Sequence, residues 1–297
     1  MSERLAALTA PVDPRVGGNM PAFGDMPRDT ELDQLVSRVL APNPSHFSLD
    51  GTNTYIVGMP GSGSAVVVDP GPDDPEHLAR VRAALARRDA ECAAVLVTHH
   101  HGDHAEAALA WAEAFGCTVA AHRRDVAGPS GRLLDDGDVV AAGGLRVESV
   151  FTPGHCSDHL SFRLPNGVLL TGDHVLGRGT TVVGWPEGDM ADYVRSLHRV
   201  LELGPDALYP GHGPEMAEGD PLSVVRFYLQ QREYREAQIL AVLHDGPSDA
   251  DTMVPMIYAS YPEPVWPAAV RSTQGALVKM ASEGRVVDDG EGRYRLA

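Results

Sequence analysis

The chain has 297 residues, 43% of them hydrophobic, a formal charge of −17 and a pI near 5.1. That is enough for one large domain plus an appendage, and so acidic a chain disfavours avid non-specific nucleic-acid binding, which needs clustered Lys and Arg. The three cysteines, Cys92, Cys117 and Cys156, are odd in number and lack C-x-x-C spacing, which argues for buried free thiols and against a disulfide framework or a zinc knuckle.

Lys279 is the only lysine, while Ala and Gly are abundant, a coding bias expected of a GC-rich bacterial genome. Residues 1–15 lack a basic region followed by an apolar core, and no run of about eighteen apolar residues occurs, so a cytoplasmic protein without a membrane segment is expected. Residues 1–30 hold Pro11, Pro14, Pro21 and Pro27 without periodicity and read as a flexible arm. Residues 34–40 read as a first strand stopped by Pro42 and Pro44. A loop containing His46, read as solvated, leads into the strand that holds Tyr55, Ile56 and Val57. Residues 65–68 are a buried strand turning at Asp69-Pro70-Gly71, and residues 76–88 a helix with one apolar face.

The apolar run 93–97 reads as another buried strand, and Thr98-His99-His100-His101-Gly102-Asp103-His104 follows it directly. Four histidines and a carboxylate within six positions at a strand end point to a metal site, because imidazole and carboxylate suit zinc-like ions and a tight turn lets alternate side chains converge. A helix over 105–115, a strand over 117–121 and paired strands within 131–151 come next. A hairpin turns at Pro165-Asn166-Gly167, and a helix covers 191–203. Three further strand-like runs each end in a Gly-containing turn that delivers a His or Asp: Thr152-Pro153-Gly154-His155, Thr171-Gly172-Asp173-His174 and Pro210-Gly211-His212-Gly213. Cys156 adjoins one of these residues but should point the other way on an extended segment.

Beyond His212 a long helix over 222–243 precedes residues 251–261, a Pro-rich break, a helix over 268–282 and a Gly-turned hairpin, the layout of a winged helix. From Ser248 onward five basic residues face seven acidic ones, so packing or substrate shaping is expected of this module rather than DNA reading.

The segment Thr98 to His104 matches T-H-x-H-x-D-H at every fixed position, and the later His, Asp and His motifs keep the same order; over roughly residues 35–212 the sequence resembles the metallo-β-lactamase superfamily. Asn43-Pro44, Gly51-Thr52-Asn53-Thr54-Tyr55, Thr171-Gly172-Asp173-His174 and Tyr209-Pro210-Gly211-His212-Gly213-Pro214 make it similar to the β-lactamase-like protein 2 branch. It departs from the D-H-x-G-G continuation of many relatives, having Ala105-Glu106-Ala107 after His104.

The resemblance implies an α/β fold, an αββα sandwich over 31–220, and a C-terminal helical, winged-helix-like module over 221–297. It also implies two divalent metal ions, zinc being the natural choice. His99, His101 and His155 would hold the first, Asp103, His104 and His212 the second, with Asp173 bridging and Asp69 orienting a ligating imidazole. Asp103 and His159 are the candidate catalytic residues, His159 as a substrate-contacting general acid, whereas His100 and His174 should point away from the ions. A hydroxide held by the metals would attack a thioester or other acyl substrate, either a small molecule or an acyl carrier. Cleavage of single-stranded RNA is the alternative enzymatic reading, and a binding protein with a degenerate site is the non-enzymatic one.

Overall fold

A computed structural model describes residues 3–16, 18 and 20–297. After a one-turn helix, α1 (Glu3–Ala6), the chain lays down β1 (Asp29–Glu31), β2 (Val36–Leu40), β3 (Asn53–Val57) and β4 (Gly63–Val68). Helix α2 (Pro75–Arg87) starts where the Asp74 side chain accepts the His77 N–H and Pro75 occupies a first-turn position that needs no donor. Strand β5 (Ala90–Leu96), helices α3 (Gly102–Ala105) and α4 (Ala108–Phe115), β6 (Thr118–Ala121), α5 (Arg124–Ala127) and β7 (Arg132–Leu133) complete this half. The second half has β8 (Val139–Ala142), β9 (Leu145–Phe151), β10 (Leu160–Arg163), β11 (Val168–Gly172), α6 (Met190–Leu203) and β12 (Ala207–Pro210).

Among the described residues the first seven strands form one sheet in chain order, and the next five form a second in the order β12-β11-β10-β9-β8. Val36, Tyr55, Val66, Val68 and Leu96 of the first sheet interlock with Val147, Leu160, Phe162 and Leu170 of the second in the central core. The opposite face of the first sheet, with Ile56, Val67 and Val95, is covered by Val81 and Leu85 of α2 and Trp111 of α4. Leu169 and Leu208 of the second sheet are covered by Tyr193 and Leu197 of α6. The expected αββα layering follows from this alternation, since each strand offers one face to the other sheet and one to a helix.

Helix α7 (Pro221–Leu243) bridges two cores. Val224, Val225, Phe227 and Tyr228 pack with α6, whereas Ile239, Val242 and Leu243 pack with α8 (Ala250–Ile257), α9 (Trp266–Ser282) and the hairpin of β13 (Val286–Asp288) and β14 (Tyr294–Leu296). The last four elements are the expected winged helix.

Three local expectations are corrected. The helix expected over 105–115 is two helices, because the chain between them docks on the turn after β4: the Gly71 N–H donates to His104 O at 3.2 Å and the Ala107 N–H to Gly71 O at 3.1 Å. Residues 132–133 pair in parallel with β6 in the first sheet, not with the later strands. The segment read as a flexible arm is tied down: Leu5 is buried with the C-terminal module, and the Arg15 guanidinium, 9% exposed, donates to Leu176 O and Gly179 O, both at 2.6 Å. Of the thiols, Cys92 and Cys156 are buried and Cys117 is half-buried, with its Sγ 3.8 Å from that of Cys92.

His77 gives a pH-dependent contribution to stability. It is fully buried against Trp111, and its Nε2–H donates to Thr54 Oγ1, which itself donates to Asp69 O. Burial lowers its pKa from 6.5 to about 4. The unfolded chain therefore takes up a proton below the ordinary value while the folded chain does not, so stability present above pH 6.5 is lost as pH falls toward 4. At about 1.4 kcal/mol per pH unit the loss approaches ~3 kcal/mol. His77→Gln keeps the donor and removes the titration; denaturant unfolding at pH 7 and pH 4.5 should show a smaller acid loss in the variant, and an equal loss would exclude His77 as the source.

Candidate metal centre

The site is built from turns at one edge of the two sheets. The β5 strand ends at Leu96, and His99, His101, Asp103 and His104 lie in the turn that follows; the segments after β9, β11 and β12 deliver His155, Asp173 and His212. Two glycines make the approach close enough. Gly154 has φ +135°, and an added Cβ would sit 2.4 Å from the Tyr193 backbone nitrogen. At Gly211 an added Cβ would lie 2.7 Å from both Asp173 Oδ1 and His104 Cε1.

The side chains converge in two groups. His101 Nδ1 lies 3.0 Å from both His99 Nε2 and His155 Nε2. His104 Nε2 and His212 Nε2 are 3.1 Å apart, with Asp103 Oδ2 at 3.2 Å from the latter. Asp173 lies between the groups, its Oδ1 3.4 Å from the Nε2 atoms of both His104 and His212 and its Oδ2 3.7 Å from His155 Nε2. His99, His104 and Asp173 are also within mutual ligating reach, so the groups adjoin.

Hydrogen bonding on the outer side of each ring decides what points inward. His104 Nδ1 donates to Asp69 Oδ2 at 2.9 Å, His155 Nδ1 to Val182 O at 2.7 Å, His212 Nδ1 to Gly51 O at 3.2 Å and His101 Nε2 to Glu187 Oε1 at 2.9 Å. Thr98 Oγ1 donates to Asp69 Oδ2, so it accepts the remaining Nδ1–H, that of His99, at 2.9 Å. In its neutral form each imidazole has one N–H, so these outer bonds leave the inner nitrogen of all five rings free to act as a ligand. Asp173 Oδ1 is buried without a hydrogen-bond partner. Converging ring nitrogens and an unpaired buried carboxylate oxygen are costly unless positive charge, protons or metal ions, lies between them, and three-ligand groups with an open side suit catalytic zinc. The residues fit two divalent cations.

The electrostatics set the two groups apart. Burial opposes charge on His104 and His212, yet Asp173 and Asp103 outweigh it and raise both, His212 to about 9. Burial pushes the acids up, but His104 and His212 dominate and hold Asp103 at about 2 and Asp173 well below the carboxylate range. His99 and His155 are lowered, chiefly by burial. The second group thus has a negative potential that attracts positive charge, whether protons or a metal. Access is from the side of His101 and Asp103, whose side chains are 28% and 34% exposed against 0% for His104.

All seven expected metal-ligating residues are brought together. His100 turns away, as expected, with Nδ1 2.7 Å from Asp158 Oδ1. His159 requires a correction: it is fully buried, its Nε2 accepts the Asp173 N–H at 3.1 Å, and its Nδ1 bonds Thr152 Oγ1 at 2.9 Å. Buried and with both nitrogens bonded inside the protein, it holds the Asp173 N–H rather than standing at the open side. Asp69 takes the orienting place expected of it, in a left-handed turn with φ 51°. Glu187 and the carbonyls of Val182 and Gly51 were not anticipated, and no local pattern marks them.

Comparison with known proteins identifies the family and the fold. The metallo-beta-lactamase superfamily profile matches residues 48–212, and that of the beta-lactamase associated winged helix domain matches residues 250–294. The chain is 33% identical to a beta-lactamase-like protein 2 homolog of Drosophila melanogaster, covering 88% of this chain and 92% of that one. It is 30% identical to an atrochrysone carboxyl ACP thioesterase of Aspergillus chevalieri, covering 93% of this chain and 89% of the relative. A beta-lactamase domain protein from Burkholderia ambifaria superposes with a TM-score of 0.77 at 23% identity, covering 96% of each chain, which supports the fold. With the histidine and aspartate turns, the layered sheets and the profile match in agreement, the chain belongs to the metallo-beta-lactamase superfamily.

Proposed function

We propose that this protein is a metal-dependent hydrolase that acts on an acyl thioester. The observation that carries the reading is the inward convergence of five imidazole nitrogens beside the unpaired Asp173 Oδ1. His99, His101 and His155 would hold one divalent cation and Asp103, His104 and His212 the other, and the Asp173 carboxylate stands between the two groups. Zinc suits this donor set. When bound, the ions supply Lewis-acid polarisation of the scissile carbonyl and acidify a water molecule. Asp103 stands at the open side, where its carboxylate can orient an incoming water, and the buried rings behind it exclude solvent.

The thioester reading is supported by the thioesterase named among the relatives and by the charge of −17, which disfavours a long polyanion. In a side-by-side screen with zinc- and manganese-loaded protein, acyl thioesters should be hydrolysed in preference to single-stranded RNA, lactones and a β-lactam. RNA cleavage without thioester turnover would replace this reading with the nuclease one. A protein that takes up no metal and hydrolyses nothing would favour the binding-protein reading.

A further inference from the structure

The two ligand groups are supported from different parts of the chain. His104 is held by Asp69 and His212 by Gly51 O, both within the sandwich. For the first group, two of the three histidines depend on the loop between β11 and α6. Val182 O accepts from His155, and Glu187 Oε1 accepts from His101 while lying 3.1 Å from His100 Nε2.

That loop is in turn fastened to α9 of the winged helix. The Arg271 guanidinium donates to Glu187 Oε2 at 3.2 Å, to Trp185 O at 3.2 Å and to Gly184 O at 3.3 Å. The Ser272 hydroxyl donates to Val183 O at 3.1 Å and accepts from the Val183 N–H at 3.3 Å. The Trp185 N–H donates to Arg271 O at 3.2 Å. A Cβ at Gly184 would already lie 3.2 Å from Arg271 Cζ, so contact is close along the whole segment.

We propose that the C-terminal module positions the first ligand group: Arg271 and Ser272 of α9 fix the loop, and through it Glu187 and Val182 O orient His101 and His155. Glu187 is 38% exposed and Arg271 51% exposed, so neither side chain would hold one rotamer alone. Their mutual bond, anchored by the two backbone carbonyls, restricts both and keeps the carboxylate on the His101 ring. An outer acceptor of this kind fixes the tautomer and orientation of a ligating imidazole, typically at a cost of about 10- to 100-fold in metal affinity when lost. The module then acts on the centre without supplying a ligand. The inference rests on the metal-centre reading of the proposed function.

The test uses the full chain in two backgrounds, His212→Ala to leave the first group intact and His155→Ala to leave the second. Zinc affinity is measured by chelator competition. Glu187→Ala should weaken zinc binding by about 10- to 100-fold in the first background and by less than about twofold in the second. Glu187→Gln keeps an acceptor oxygen and should recover much of the loss, and Arg271→Ala should cost a few-fold, in the first background only. Lys279→Ala breaks the α9 contact with Glu236 on α7, made at 2.7 Å away from the loop, and should change neither affinity.

Imidazole nitrogen NMR of the metal-free protein adds a readout independent of loading: His101 should be the Nε2–H tautomer in the parent and a mixture in Glu187→Ala. Unchanged affinity and tautomer, equal losses in both backgrounds, or a Lys279→Ala loss matching that of Arg271→Ala would each overturn the proposal. If the parent takes up no zinc, the metal reading fails, and the tautomer in Glu187→Ala and Arg271→Ala still decides whether the module orients His101.

Discussion

Asp173→Asn should strip both cations and, with them, turnover, lowering metal content from about two ions per chain toward none and activity by on the order of 10³-fold or more. The carboxylate faces both ligand groups, one oxygen toward His104 and His212 and the other toward His155. Asparagine preserves the shape and the backbone bonds to His159 and Thr181, so the fold should survive. What is lost is the charge that offsets two cations, together with an acceptor atom, since an amide NH₂ replaces one carboxylate oxygen. Metal analysis after gel filtration, with circular dichroism to confirm folding, checks the result. A variant that retains both ions at parental affinity would sink the bridging role.

The second large effect is expected at Asp69, which is buried on the outer side of the His104 ring. Its carboxylate, 1% exposed, accepts from the Thr98 N–H and the Thr98 hydroxyl, both at 2.8 Å, and from His104 Nδ1 at 2.9 Å. Asn tolerates the left-handed backbone at this position, so Asp69→Asn isolates the side-chain chemistry. If the amide NH₂ occupies the Oδ2 place, it meets two donors, and the way to relieve the clash with His104 is for that ring to move its proton to Nε2, the inward atom. Binding at the second group should weaken by about 10- to 100-fold and by less at the first. Stability should fall by roughly 3 kcal/mol from buried groups left unpaired. Chelator competition and denaturant unfolding measure the two losses, and parental values for both would remove Asp69 from its orienting role.

The clustering of the donor side chains was legible in the chain because it is locally encoded. Thr98 to His104 packs four donor side chains into one turn directly after a buried strand, and the Gly-containing turns at His155, Asp173 and His212 repeat the same strand-end placement. Strand periodicity and turn residues are properties of neighbours along the chain, so the strands, the turns that carry His and Asp and the helix-helix-hairpin order of the C-terminal module could be read from spacing. The sandwich and the division of the donors into two groups came instead from the resemblance. The misreadings came where neighbours did not decide. His159 stands four residues after His155 and could equally have faced the cleft, until the Asp173 N–H and Thr152 took both its nitrogens. The helix after His104 has no internal breaker, yet it divides where the chain docks on Gly71.

The sequence by itself determined which residue types meet at the sheet edge; only the tertiary structure decided which nitrogen of each ring faces inward. That choice belongs to acceptors distant along the chain: Glu187 lies 86 residues from His101, Gly51 is 161 from His212, and Asp69 is 35 from His104. Such pairings are set by how sheets, loops and the winged helix pack, a long-range outcome that no local pattern of residues records. The support of the first ligand group by Arg271 and Ser272 is of the same kind, because it exists only once α9 has docked on the loop between β11 and α6.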